Sequence, residues 1–243
     1  MKTPVVFLPA LLCNAGLFIH QIKTMESECD FYVPDLGLDE NVSDAAARVL
    51  KRAPERFVLG GISMGGYVAL EIMRQAPERV RGLILADTNA HADPEAAREK
   101  RLKAIETARE KGIEPLIKPT LLDITSLDQG FYLAAGIVPN CRYFADNNLE
   151  RMAELTGVDK YVNEQKTIMS RPDSTASIGK IDCPVLVVGG EKDALSPPDA
   201  LDAMTRLIPR AAHVVIKNAA HLPPLENPAA FTAALRAFIE KIS

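Results

Sequence analysis

Short apolar runs alternate along the chain with stretches in which apolar residues recur every three or four positions. The runs are Val5–Leu8, Phe31–Pro34, Phe57–Ile62, Gly82–Asp87, Pro184–Gly189 and His213–Lys217. Several are near-continuous Val, Ile and Leu without polar alternation, the pattern of strands covered on both faces. Between them, Phe18, Ile22 and Met25 share one helical face, and Val42, Ala46, Val49 and Leu50 share another that Pro54 closes. Met64–Ala76 reads as a third helix ended by Pro77, and Leu201, Met204 and Ile208 mark a fourth. Asn227 and Pro228 supply the cap and first position of a last helix, with Phe231, Leu235, Phe238 and Ile242 on one face. This alternation predicts an α/β fold: a mostly parallel, doubly wound sheet of about six strands with helices on both sides.

The rhythm breaks once. Residues 92–180 hold no convincing strand. They open with a charged amphipathic helix, Pro94–Lys111, in which Glu99 and Lys103 can pair one turn apart. Apolar clusters follow at Leu116, Ile117, Leu121 and Leu122, then Phe131–Leu133, then Ile137 and Val138. The predicted division is a core of residues 1–91 and 181–243 carrying a helical cap at 92–180. Ligand sites in such sheets lie beyond the carboxyl ends of the strands, so the insert is expected to act as a lid over a pocket there.

The first dozen residues imitate a secretory segment, but Pro4 and Pro9 interrupt the apolar run, and Leu12 is too large for a lipoprotein cleavage site before Cys13. A buried strand and a turn fit them better. No apolar run approaches the ~20 residues of a membrane-spanning helix. Composition narrows the picture further. With 47% hydrophobic and 25% charged residues in 243, the chain is globular rather than disordered. Its net charge of −4 and lack of a basic stripe argue against a nucleic-acid partner. Cys13, Cys29, Cys141 and Cys183 are far apart, which fits neither a disulfide framework nor a metal site and suits a reducing, cytoplasmic compartment. Without a phosphate loop, a dinucleotide fingerprint or a metal-ligand cluster, no cofactor and no metal is expected.

The strongest chemical signal is Gly61-Ile62-Ser63-Met64-Gly65-Gly66, which closes one predicted strand and opens a helix. A serine on such a turn stands clear of the sheet at a helix N-terminus, where developing negative charge is favoured, and its flanks must be small. A hydroxyl nucleophile needs a base. Of His20, His91, His213 and His221, only His221 falls in a loop at the carboxyl end of the last strand, with His91 as its rival. His213 begins that strand and reads as structural, and His20 reads as a surface residue. The base needs an orienting carboxylate. Asp193, directly after the fifth strand, is the favoured candidate. Asp87, at the end of the fourth, is a second position for the acid, and Glu191 reads as solvated. Acyl transfer also needs oxyanion donors. The backbone N–H groups of Met64 and Leu11 are the candidates, with Leu12 the weaker choice in that loop. Cys13 reads as a small buried hydrophobe and Asp35 as structural.

The order Ser63, Asp193, His221, together with Val187–Asp193 and His221–Pro228, resembles the α/β-hydrolase superfamily of the small bacterial serine esterase type. The resemblance covers essentially the whole chain. Pro9-Ala10 stands where the family has His-Gly, Ala220 replaces a glycine, and the chain starts at the family's third strand, without the N-terminal hairpin. What the resemblance implies is a hydrolase cleaving carboxylic esters of small to medium, uncharged acyl groups through an acyl-enzyme, acting on a small-molecule substrate. Lactonase, C–C bond hydrolase or lyase chemistry on the same three residues is the alternative, and a binding protein on this fold a remote one. An anionic substrate would call for inward-facing arginines. Arg142, Arg151 and Arg171 are in the insert, where a solvated surface is their expected place. The oligomeric state is left open.

Overall fold

The computed structural model describes residues 2–124 and 149–242. Among them, six strands form one sheet in the order β2-β1-β3-β4-β5-β6, all neighbours parallel. The strands are β1 (Thr3–Leu8), β2 (Cys29–Tyr32), β3 (Phe57–Ile62), β4 (Val80–Ala86), β5 (Val185–Gly190) and β6 (Ala211–Ile216). The helices are α1 (Ile19–Thr24), α2 (Val42–Arg52), α3 (Met64–Gln75), α4 (Glu95–Lys111), α5 (Glu114–Ile124), α6 (Leu149–Met169), α7 (Thr175–Ile178), α8 (Pro198–Arg206), α9 (Pro223–Glu226) and α10 (Pro228–Ile242).

The apolar runs work as the two-sided pattern requires. Val5 and Phe7 of β1 enter one core while Val6 and Leu8 enter the other. Leu186 and Val188 of β5 are split in the same way from Val185 and Val187. The first core is closed by Leu17, Phe18 and the α10 residues Phe231, Leu235 and Phe238, the second by α2, α3 and α8. Phe7 stacks on Phe18 with ring centroids 4.5 Å apart. Burying each such side chain contributes roughly 1.5–3 kcal/mol, so these faces hold the sheet between its helices.

Strand β2 lies two residues earlier than the sequence pattern suggests. It is an edge strand, its pairing with β1 starts at Cys29 opposite Thr3, and Pro34 has no N–H to extend a ladder.

Of the insert, α4, α5, α6 and α7 are described, whereas Phe131–Leu133, Ile137, Val138, Cys141 and Arg142 lie outside the described residues. Helix α6 is broken at Gly157, whose φ of 66° and ψ of 179° are not helical. Beyond that break it is fastened to the segment after β2. Lys160 Nζ meets Asp35 Oδ2 at 2.6 Å, Asn163 Nδ2 donates to the Gly37 carbonyl at 3.0 Å, and Thr167 Oγ1 donates to the Asp39 carbonyl at 2.9 Å. Lys166 pairs with Glu40 at 2.9 Å, and the Val42 N–H donates to Ser170 Oγ at 2.8 Å.

Two sequence expectations change. Arg171, expected in solvent, is buried: it pairs with Asp93 at 2.7 Å, donates to the His91 carbonyl and lies over the Tyr67 ring. Asp93 is equally buried and also binds Arg101, so the desolvated acid is matched by two guanidinium groups. Arg151 stays on the surface beside Glu154. His20 is half-buried rather than on the surface, with Nδ1 3.0 Å from Thr232 Oγ1 on α10.

Candidate active site

Four groups with chemical potential meet at the carboxyl ends of β3, β4, β5 and β6. Ser63 occupies the turn between β3 and α3 with φ 53° and ψ −117°, a conformation that costs about 1–3 kcal/mol for a residue with a Cβ. Its neighbours hold it there. The Ser63 N–H donates to the Ala86 carbonyl at 3.0 Å, and Thr88 Oγ1 donates to the Ser63 carbonyl at 2.9 Å. The flanks must be glycine because a Cβ on Gly61 would lie 2.3 Å from the Gly65 carbonyl oxygen, and one on Gly65 would lie 2.1 Å from that of Leu8.

His221 Nε2 is 2.8 Å from Ser63 Oγ, and its Nδ1 is 2.8 Å from Asp193 Oδ2. The histidine loop is bracketed by Glu226, whose Oε2 accepts the N–H groups of Ala220 at 3.0 Å and Leu222 at 2.9 Å. Asp193 Oδ1 accepts the Leu195 N–H at 2.8 Å. Burial works to raise the Asp193 pKa, but the hydrogen bond and positive charge of His221 outweigh it and hold the carboxyl below its ordinary range. An ionised Asp193 requires Nδ1–H as the donor, which leaves Nε2 to accept the Ser63 hydroxyl proton. His91 does not compete: it is exposed, and its Nδ1 faces Asp173 at 3.7 Å. Glu191 is exposed as expected and accepts the Asn218 N–H.

Asp87 stands beside Asp193. It is fully buried at φ 42°, and its Oδ1 accepts the Gly190 N–H at 2.8 Å. Its Oδ2 is buried, and the Asp87 side chain interacts with that of Asp193. Burial first, and then the adjacent Asp193 charge, raise its pKa well above the ordinary carboxylate value, which favours the neutral acid. One ligand-type atom from each of Asp87, Asp193 and His221 lies within 4.8 Å of the others, the one such group among the described residues that could hold a metal ion. His221 and Asp193 are already bonded to each other, so the arrangement serves proton transfer.

The candidate oxyanion donors lie on the first residue of α3 and in the turn that follows β1. Met64 is the first residue of α3, so its N–H has no intrahelical acceptor. Leu11 lies in the turn Ala10–Cys13, closed by the Cys13 N–H on the Ala10 carbonyl at 3.1 Å. That turn leaves β1, whose Leu8 pairs with Gly61. The Leu12 N–H is engaged elsewhere, donating to Glu164 Oε2 at 3.0 Å. Cys13 is buried, and burial with the nearby Glu164 charge pushes its thiol pKa far up, which suppresses the thiolate that a nucleophile needs.

Glu226 and Glu164 are structural partners of this site that isolated motifs do not reveal as such. Glu226 stands five residues after His221, a spacing that suggests a tether for its loop. Glu164 carries no local signal.

Residues 50–228 match the family model for the alpha/beta hydrolase fold. Over 191 residues the chain is 32% identical to the pimeloyl-[acyl-carrier protein] methyl ester esterase of Neisseria meningitidis serogroup A, a match spanning 75% of this chain and 56% of that relative. The enzyme of the same name from Neisseria meningitidis serogroup B strain MC58 is 32% identical over 189 residues, covering 74% and 67%. A solved thermophilic esterase from Thermogutta terrifontis superposes with a TM-score of 0.83 at 27% identity, covering all of this chain and 91% of that one. The enol-lactonase of Burkholderia xenovorans LB400 reaches 0.81 at 18% identity over 99% and 92%, a likeness of fold.

Proposed function

The chain belongs to the α/β-hydrolase fold family, and on that footing we propose that it is a serine hydrolase of carboxylic esters, with Ser63, His221 and Asp193 as its catalytic relay. The observation that carries the reading is the unbroken chain of two 2.8 Å contacts from the strained serine through the imidazole to a buried, ionised carboxylate. Ser63 Oγ attacks the acyl carbon while His221 takes its proton. The charge formed on the carbonyl oxygen is met by the N–H groups of Met64 and Leu11. His221 returns the proton to the leaving alcohol, then takes one from the water that attacks the acyl-enzyme and gives it to Ser63 Oγ as the bond to serine breaks and the acid leaves. Asp193 fixes the imidazole tautomer and offsets the positive charge that His221 acquires at each step.

The relatives' names favour a small alcohol on a medium-length acyl chain, and a methyl ester is the substrate class we propose. The part of the insert around α4 and α6 is the proposed cover of the acyl group. Labelling with a fluorophosphonate should modify Ser63 alone, and Ser63→Ala should remove turnover of medium-chain methyl esters while leaving the fold intact. Retained turnover in that variant would exclude the relay. A panel of methyl esters, lactones and a diketone separates ester hydrolysis from lactone and C–C chemistry, and a preference for either of the latter would overturn the substrate class.

A further inference from the structure

One buried acid lies outside the relay yet touches the turn that carries a proposed oxyanion donor. Glu164 is 3% exposed and projects from α6, and its Oε2 accepts the N–H of Leu12, 152 positions away in sequence. Leu12 itself has φ 62°, the left-handed region that a leucine adopts only when held there. It is the third residue of the turn closed between Ala10 and Cys13, and a left-handed third residue is what distinguishes a type II turn from a type I turn. The two forms differ by reversal of the central peptide, here the one joining Leu11 to Leu12. For a leucine at the third position, the type I form is the unstrained one. The acceptor that stops the reversal is the Glu164 carboxyl, and α6 is in turn fastened to the core by Lys160, Asn163 and Thr167.

We propose that Glu164 is a positioning residue for the oxyanion site: it locks the Leu11–Leu12 peptide, and through it the setting in which the Leu11 N–H meets the reacting carbonyl oxygen. This rests on the ester-hydrolase reading above. Reversal of that peptide would turn round a dipole of about 3.5 D one residue from the donor, an effect felt by the transition state far more than by the bound ester. The side chain need only accept a hydrogen bond, so an amide should serve as well as a carboxyl.

The experiment compares Glu164→Gln, Glu164→Met and Glu164→Asp with the unmodified enzyme on one ester. Methionine matches the length but accepts no comparable bond, and aspartate is a methylene too short to reach. Glu164→Met and Glu164→Asp should lose roughly 10- to 100-fold in kcat with KM nearly unchanged, a fraction of what loss of a whole oxyanion donor costs. Glu164→Gln should keep kcat within about threefold, as an amide still accepts the bond. Affinity for a phenylboronic acid, which mimics the tetrahedral intermediate, should fall in step with kcat. In the Glu164→Met background, Leu12→Gly should recover part of the lost kcat, because glycine takes the left-handed third position of a type II turn without strain. The proposal is overturned if Glu164→Met and Glu164→Asp keep full kcat, if glutamine fails to rescue, or if KM rises while kcat holds. Should methionine prevent folding, the aspartate and glutamine pair decides. Fluorophosphonate labelling of Ser63 in the unmodified enzyme is scored separately. Its absence sinks the hydrolase reading, whereas labelling with indifferent Glu164 variants sinks only the positioning role.

Discussion

Asp87 and Asp193 lie side by side in the interior and are pushed in opposite directions, Asp87 toward the neutral acid and Asp193 toward the carboxylate. The difference follows from their partners. Asp193 has the His221 imidazole and the Leu195 N–H, whereas Asp87 has one backbone N–H from Gly190 and, for its other oxygen, only the neighbouring Asp193 side chain. Two buried carboxylates this close do not both ionise, and the one beside the imidazole keeps the charge. Asp87→Asn, which replaces an acid pushed toward its neutral form with a neutral amide that can still accept from Gly190, should therefore hold kcat within about threefold at pH 7. Asp193→Asn should lower it by about 10⁴-fold, because the imidazole is left in the wrong tautomer. Steady-state kinetics on one ester checks both, and equal losses would mean the roles are shared.

Ser63 stores strain that its hydroxyl alone justifies. Ser63→Gly removes the nucleophile and the Cβ together, so activity should vanish while stability rises by about 1 kcal/mol. Thermal melting of the glycine and alanine variants side by side tests this. The alanine form keeps the Cβ and should melt lower than the glycine form.

Glu226 is the tether of the histidine loop, taking the amides on either side of His221. Glu226→Ala should free that loop and lower kcat by about 10- to 100-fold, with a stability loss of about 1–3 kcal/mol from amides left without an acceptor. Ser63 labelling should slow in parallel. A variant that loses stability but labels at the normal rate would reduce Glu226 to a structural role.

Glu164 also makes stability depend on pH. Burial is the main force raising its pKa from 4.5 to about 8, with the Leu12 N–H opposing it. In the window between those values the folded chain holds a proton that the unfolded chain has lost. The contribution is full below about 4.5, shrinks as pH rises, and is gone above about 8, a swing on the order of a few kcal/mol. Glu164→Gln has no proton to lose. Urea midpoints at pH 6 and pH 8.5 should therefore fall more in the unmodified protein than in the glutamine variant. Equal slopes would contradict the assignment.

The sheet and the three aligned groups were legible because their signals are local. Ser63, Asp193 and His221 each stand just past a strand, where an apolar run gives way to glycine or to a short loop, and that adjacency survives in one dimension. Asp87 was legible as a position but not as an acid pushed toward its neutral form, since that push comes from burial and from Asp193 on the neighbouring strand end. Glu164 and Arg171 were opaque for a related reason. Each sits on or just beyond a polar helix, and nothing nearby in sequence tells that Leu12 or Asp93 will meet it. Arg171 looks like an ordinary surface cation until Asp93, 78 positions earlier, is found beneath it. The edge strand β2 slipped because Val33 and Pro34 extend its apolar pattern past the point where pairing stops.

The seam between α6 and the segment Asp35–Val42 bears on how this scaffold could be re-engineered. A chimera that exchanges residues 92–180 wholesale for another protein's insert would sever that seam and discard Glu164 with it. A graft joined at Gly157 would bring in foreign recognition surface upstream while keeping the Lys160, Asn163, Thr167 and Ser170 attachments intact.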